Sequence, residues 1–189
     1  MKKIYFVTTN KHKFREVKDV LKDYPIELEH LDMEYEENHD SSMEEIAKGA
    51  AKKLAEQLKK TVVVDDTGLF FEAFNGFPGA LPKFVFNSIG YKGILKLLDG
   101  ENRKAYFKTV VGYCEPGKEP VIFEGELHGN ITEEVYGLDK DDMPYNRIFV
   151  PDGETRPIVE TTIQERNKFL QRAKAFKKFG EWIKHNDRT

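Results

Sequence analysis

A chain of 189 residues with 30 Lys+Arg against 33 Asp+Glu carries a formal charge of −3 and a pI near 6.0, so its overall charge draws it neither to nucleic acid nor to an anionic membrane. No apolar run approaches the ~20 residues that cross a bilayer, and the first residues enter a strand directly, so no secretory leader is expected. The single cysteine, Cys114, has no internal disulfide partner, which fits a reducing cytoplasm, and the length predicts one domain over residues 1–189.

Residues 3–7 form a buried-strand pattern that Thr8-Thr9-Asn10 breaks. Phe14, Val17 and Leu21 then recur at helical spacing over residues 11–22. Thr9 or Asn10 caps this helix and places Lys13 in its first turn. A helix start after a strand attracts anions through its free N–H groups and dipole. Lysine is unfavourable for that dipole, so a phosphate beside Lys13 would account for it; a solvated lysine is the alternative. Residues 26–31 read as a second strand and residues 32–40 as an acid-rich loop. Ser42-x-x-Glu45 is a capping box. It opens a helix whose apolar face, Met43, Ile46, Ala47, Ala50, Ala51, Leu54, Ala55 and Leu58, is rich in small residues suited to close packing on a sheet.

Val62-Val63-Val64 predicts a strand with Asp65 and Asp66 at its carboxyl end and a turn at Thr67-Gly68. Ligands of open α/β sheets bind outside such strand ends. Two carboxylates there suit Mg²⁺, a hard cation that takes oxygen ligands and bridges to phosphates; a plain turn former or helix cap is the alternative. A short strand over 69–73 and a turn over 75–79 follow. Helices over 82–89 and 91–98 are broken at Gly90. Residues 105–114 and 121–127 alternate as antiparallel strands around Glu115-Pro116-Gly117, and residues 147–150 read as a strand. Thr162-x-x-Glu165 is a second capping box, opening a helix to about residue 184. Its Lys174, Lys177 and Lys178 read as a solvated face. The histidines lack zinc spacing. Strand–helix alternation followed by hairpin strands predicts an α/β domain with a mixed sheet.

Four blocks in this order resemble the inosine triphosphate pyrophosphatase family. Thr8-Thr9-Asn10-Lys11-His12-Lys13 is similar to its T-G-N-x-x-K opening, and Asp65-Asp66-Thr67-Gly68-Leu69 to its [ED]-D-[ST]-G-L block. Gly76-Phe77-Pro78-Gly79, followed by Lys83-Phe84, resembles its G-x-P-G turn. Tyr145-Asn146-Arg147-Ile148-Phe149-Val150-Pro151 resembles its Y-D-x-I-F-x-P segment. The resemblance implies an elongated mixed sheet flanked by helices, two lobes with a central cleft, and often a homodimer. It implies Mg²⁺-dependent hydrolysis of non-standard purine nucleoside triphosphates to the monophosphate and pyrophosphate. Asp66 matches the family's catalytic, metal-binding aspartate and Asp65 its acidic neighbour, while Lys13 and Lys83 match lysines that hold phosphates. Thr8, Thr9, Asn10 and Thr67 complete the implied phosphate side.

The departures fall elsewhere. Counting back from the capping box, the family's metal-binding glutamate falls on Asn38, so Glu37 is expected to supply that ligand after a local shift. The family's F-[GA]-Y-D becomes Met143-Pro144-Tyr145-Asn146, and its K-x-x-x-S-H-R becomes Arg166 through Leu170, Gln171 and Arg172. In the family these segments read the base. Tyr145, Asn146, Arg166, Gln171 and Arg172 are therefore the expected substrate contacts, with Arg166 and Leu170 one helical turn apart. Lost contacts worth ~1–3 kcal/mol each lead us to expect base discrimination of about tenfold or less. A degenerate relative that binds nucleotide without efficient turnover is the competing reading. A dinucleotide-binding fold fits poorly, because no G-x-G-x-x-G follows the first strand.

Overall fold

The computed structural model describes residues 1–35 and 41–186. Its sheet has seven strands in the order β2-β1-β3-β5-β6-β7, with β4 (Pro78–Gly79) paired to β3. Strands β1 (Lys2–Val7), β2 (Ile26–Leu31) and the start of β3 (Val62–Phe71) are parallel. Strand β3 is antiparallel to β5 (Lys104–Cys114), β5 to β6 (Val121–Ile131), and β6 to β7 (Phe149–Pro151). The mixed α/β class is as expected.

Strand alternation sorts the core into two faces. Val63, Leu69 and Phe71 of β3 face the larger cluster with Val17 and Leu21 of α1 (Lys11–Leu21) and Phe176 and Phe179 of α5 (Gln171–Asn186). Val62 and Val64 face Ala50, Ala51, Leu54 and Ala55 of α2 (Met43–Leu58). The Ser42–Glu45 capping box forms as expected. Helix α3 (Pro82–Leu97) adds Val85 and Ile94 to the larger cluster. Its expected break is real: Gly90 sits at φ 59°, where a side chain would be strained.

Several sequence expectations need correcting. Thr67-Gly68 does not turn the chain, because β3 runs on for ten residues and pairs with β5 from Val62↔Cys114 to Phe71↔Ala105. The expected strand over 69–73 is the end of this same strand. Tertiary pairing along β5 outweighs the local turn signal of Thr-Gly. The C-terminal helix is two helices, α4 (Ile163–Phe169) and α5, separated by Leu170 at ψ 139°. Arg166 and Leu170 therefore do not form one stripe. The expected strand at 147–150 begins later, with Arg147 in a 3₁₀ turn that spans Pro144–Arg147.

Close approach of α5 to the sheet depends on Gly125. A Cβ there would lie 2.1 Å from the Gln171 carbonyl oxygen and 2.8 Å from Ala175 N. The start of α5 is thus set by β6. Gly125→Val should destabilise the fold by about 1–3 kcal/mol, or ~2–4 °C per kcal/mol for a chain of this length. A thermal melt at unchanged Tm would show that α5 does not depend on this contact.

Candidate active site

The cleft arises from unequal strand lengths. Strand β1 pairs with β3 at Tyr5↔Val62 and Phe6↔Val63, and β4 (Pro78–Gly79) pairs with it again only at Leu69 and Phe70. Between them, residues 65–68 form an edge that no described strand covers. A cavity of roughly 770 Å³ opens there, lined by Thr8, Thr9, Asn10, Lys13, Asp65, Asp66 and Thr67. It is lined further by Lys83, Phe84, Phe86, Phe107, Met143, Tyr145, Asn146, Gln171 and Arg172. Nearly every residue proposed from sequence therefore borders one space.

Asp65 and Asp66 are consecutive on a continuous strand, so their side chains leave opposite faces of the sheet. Asp65 is 4% exposed. It accepts from Lys13 Nζ at 3.0 Å and from Arg172 Nε at 2.8 Å. Burial raises its pKa, but the adjacent Lys13 and Arg172 charges outweigh this and hold the carboxyl below its ordinary range. With one oxygen on each cation, Asp65 is an ion-pair partner. The sequence leads to the expectation that it shares a cation with Asp66; in this structure its two oxygens meet Lys13 and Arg172. Asp66, 8% exposed, is the carboxylate directed to the α2 face at the cavity.

Lys13 reaches the cavity from α1, its side chain 20% exposed. Asn10 is the helix cap, its Oδ1 accepting from His12 N at 2.9 Å and Lys13 N at 3.2 Å. Those two N–H groups are therefore satisfied, and the anion attraction rests on the Lys13 ammonium rather than on them. Thr8 Oγ1 accepts from Asn10 N at 3.1 Å. Thr67 Oγ1 lies 2.8 Å from Thr109 Oγ1 and accepts from Arg172 at 3.2 Å. Thr9 and Lys83 are exposed at the rim.

The residues expected to read the base divide in two. Arg166 is not at the cavity. It donates to Asp142 and to the Ile158 carbonyl, and it lies 3.8 Å from Glu16. Arg172, 2% exposed, donates to Glu16 Oε2 at 2.5 Å as well as to Asp65. Both arginines thus pair with carboxylates; Arg172 lines the cavity all the same, whereas Arg166 does not. Tyr145 is 7% exposed and anchors α3 through its hydroxyl, which donates to the Pro82 carbonyl at 2.9 Å. Burial pushes its phenol pKa well up, so it stays protonated. Asn146 and Gln171 are 5% and 4% exposed at the cavity wall. Lys174 and Lys178 are exposed and donate to the Glu126 and Glu124 carbonyls at 2.7 Å.

Sequence reasoning missed Glu16 and Asp142. Glu16 follows Lys13 by three positions, a spacing that brings the two onto neighbouring positions of one helix surface. Asp142 lay in an acidic segment without periodicity, which offered no such signal. Together Lys13, Arg166 and Arg172 balance Asp65, Glu16 and Asp142 in one connected set.

A divalent cation fits this cavity in one respect. Mg²⁺ characteristically takes one or two carboxylates plus substrate phosphates, and Asp66 offers one. Among the described residues no group of three or more His, Cys, Asp or Glu side chains is placed to hold a metal. Glu37, the other expected ligand, lies outside the described residues, as does Asn38.

Residues 4–182 match the model of the Ham1 family. A Methanopyrus kandleri protein named dITP/XTP pyrophosphatase is 48% identical over 97% of each chain. A Saccharolobus solfataricus protein of the same name is 41% identical over 96% of this chain and 93% of its own. Among solved structures, a Ham1 protein from Coxiella burnetii superposes with a TM-score of 0.81 at 25% identity, covering 98% of this chain and all of its own (100%).

Removing the buried carboxylate strands two cations. Asp65→Asn should therefore destabilise the fold by about 3–5 kcal/mol at neutral pH, read by urea unfolding. Asp65 has a lowered native pKa. Its contribution is accordingly full above the unfolded value near 3.9 and fades as pH falls through the native one. The gap between wild type and variant should narrow in acid. Full stability of the variant, with a weakened metal requirement instead, would restore Asp65 as a metal ligand.

Proposed function

The chain belongs to the Ham1 family, and we propose that it hydrolyses non-standard purine nucleoside triphosphates to the monophosphate and pyrophosphate. The observation that carries this reading is that Asp66 and Lys13 both line the cavity at the open β3 edge, in a chain matched nearly end to end by proteins named dITP/XTP pyrophosphatase. The role is to clear damaged nucleotides from the precursor pool in the cytoplasm.

Cleavage between the α- and β-phosphates needs a placed water, a proton acceptor and positive charge on the departing pyrophosphate. Asp66 is the acceptor. It is nearly buried, so bulk water does not screen it, and it stands at the cavity wall where an attacking water can reach it. Lys13 is the charge on the phosphates. Asp65 keeps it in place through a 3.0 Å bond, and Arg172 keeps Asp65 ionised from the other side. Lys83 at the rim is a second phosphate contact. Asp66 would hold Mg²⁺, with Glu37 as the second ligand expected from sequence, and the bound ion would supply Lewis-acid stabilisation of charge developing on the phosphate oxygens.

A homodimer belongs to this reading as well. Phe77, Leu81 and Phe84 are exposed apolar side chains next to the cavity, Phe84 at 66%, and they give such a contact an apolar area to cover.

Asp66→Asn should lower kcat by at least about a hundredfold while nucleotide affinity changes little, measured as pyrophosphate release and by calorimetry. A variant with near wild-type turnover removes Asp66 from the chemistry. Glu37→Gln should raise the Mg²⁺ concentration needed for half-maximal rate with the maximal rate less affected. An unchanged Mg²⁺ titration places the second ligand elsewhere.

A further inference from the structure

Asp142 stands one turn before Asn146 and is bound to it. Its side chain is 6% exposed, and its Oδ1 accepts from Asn146 Nδ2 at 2.7 Å and from its neighbour Met143 N at 2.7 Å. Arg166 donates to both carboxylate oxygens. Asp142 itself does not line the cavity, whereas Met143, Asn146 and Gln171 do.

An ionised carboxylate only accepts hydrogen bonds. The amide of Asn146 must therefore turn its NH₂ toward Asp142, and its carbonyl oxygen takes the opposite direction. Nothing among the described residues donates to that oxygen. A free asparagine could flip and offer either a donor or an acceptor, but this one is fixed as an acceptor. Gln171 behaves differently. Its Oε1 is buried without a hydrogen-bond partner, and its amide, 4% exposed, makes no side-chain bond in the described chain. A buried amide left unbonded is costly, and rotation of this side chain would let a ligand in the cavity supply the missing partner.

We propose that Asp142 is a positioning residue for base recognition, which fixes Asn146 as an acceptor so that the pocket selects bases carrying a ring N–H. This rests on the reading that the cavity takes a nucleotide. Arg166 holds Asp142 ionised and in place, and the rotatable Gln171 amide completes the pairing with the neighbouring base atom. Hypoxanthine and xanthine carry a ring N–H donor where adenine presents a bare acceptor, which would face the Asn146 oxygen unpaired. A site built on such a hydrogen bond rejects bases that cannot make it. The carboxylate lost from position 146 is thus supplied from position 142, and base discrimination is stronger than the sequence changes suggest.

The test reads binding, so it does not depend on turnover. Calorimetry with inosine and adenosine monophosphates should give a wild-type preference for inosine of about tenfold or more. Asp142→Asn frees the Asn146 amide to flip, and the preference should fall to within about threefold. The double exchange Asp142→Asn with Asn146→Asp again directs an acceptor into the cavity and should restore most of the preference, whatever its Tm. An unchanged ratio in Asp142→Asn, or no recovery in the exchange variant, overturns the proposal, since a merely structural role would shift Tm and both affinities together. Tight binding of both nucleotides without hydrolysis of any triphosphate would instead defeat the proposed function and leave this ratio to be judged by itself.

Discussion

Asp65 sits almost without solvent between Lys13 of α1 and Arg172 of α5, and most of the site is arranged around that contact. A carboxylate in this position is costly to bury, and two cations at hydrogen-bonding distance offset the cost. The geometry in turn fixes where both helices sit relative to β3. Arg172 extends the arrangement to Glu16, and Glu16 brings Arg166 and Asp142 into the same set. The walls of the cavity are thus held by charges that neutralise one another. Lys13 contributes to that balance, yet its partly exposed side chain still faces the cavity.

The two adjacent acids differ because the strand does not stop where the sequence suggests. A turn at Thr67-Gly68 would have allowed both carboxylates to converge on one cation. In a continuous strand, the pleat sends them to opposite faces. Asp65 thereby lies on the α1/α5 side, where it pairs with Lys13 and Arg172, and Asp66 lies on the α2 side. The open edge beside them exists because β1 ends early and β4 begins late along β3. Among the described residues, the opening of the cleft follows from these strand lengths.

At the C-terminal helices, the break at Leu170 has a comparable effect. It redirects the chain so that α5 begins against β6, where Gly125 leaves room for the Gln171 carbonyl. Gln171 and Arg172 then enter the interior, while Arg166 stays behind on α4 with Asp142. Residues that a single helix would have spread around its circumference are instead divided between a buried support and a pocket wall.

Much of this was legible in the chain itself. Periodicity and caps placed α1, the Ser42–Glu45 start of α2, the Gly90 break and the β5–β6 hairpin, because those signals are local and each depends on a few neighbouring residues. Motif order pointed to the same family that the near full-length relatives establish, and it named residues that do border one cavity. The division of labour among those residues was not legible. Whether Asp65 meets a cation from a metal or from Arg172, 107 positions away, depends on contacts between distant segments. Likewise, the substitution at Asn146 reads as a lost carboxylate until Asp142 is seen bonded to it. The sequence by itself determined which elements form and which side chains carry chemistry, since propensity, capping and charge are properties of short stretches. Only the tertiary structure decided which charges neutralise each other and which remain for a ligand, because that depends on the distances and burial set by sheet pairing and helix packing.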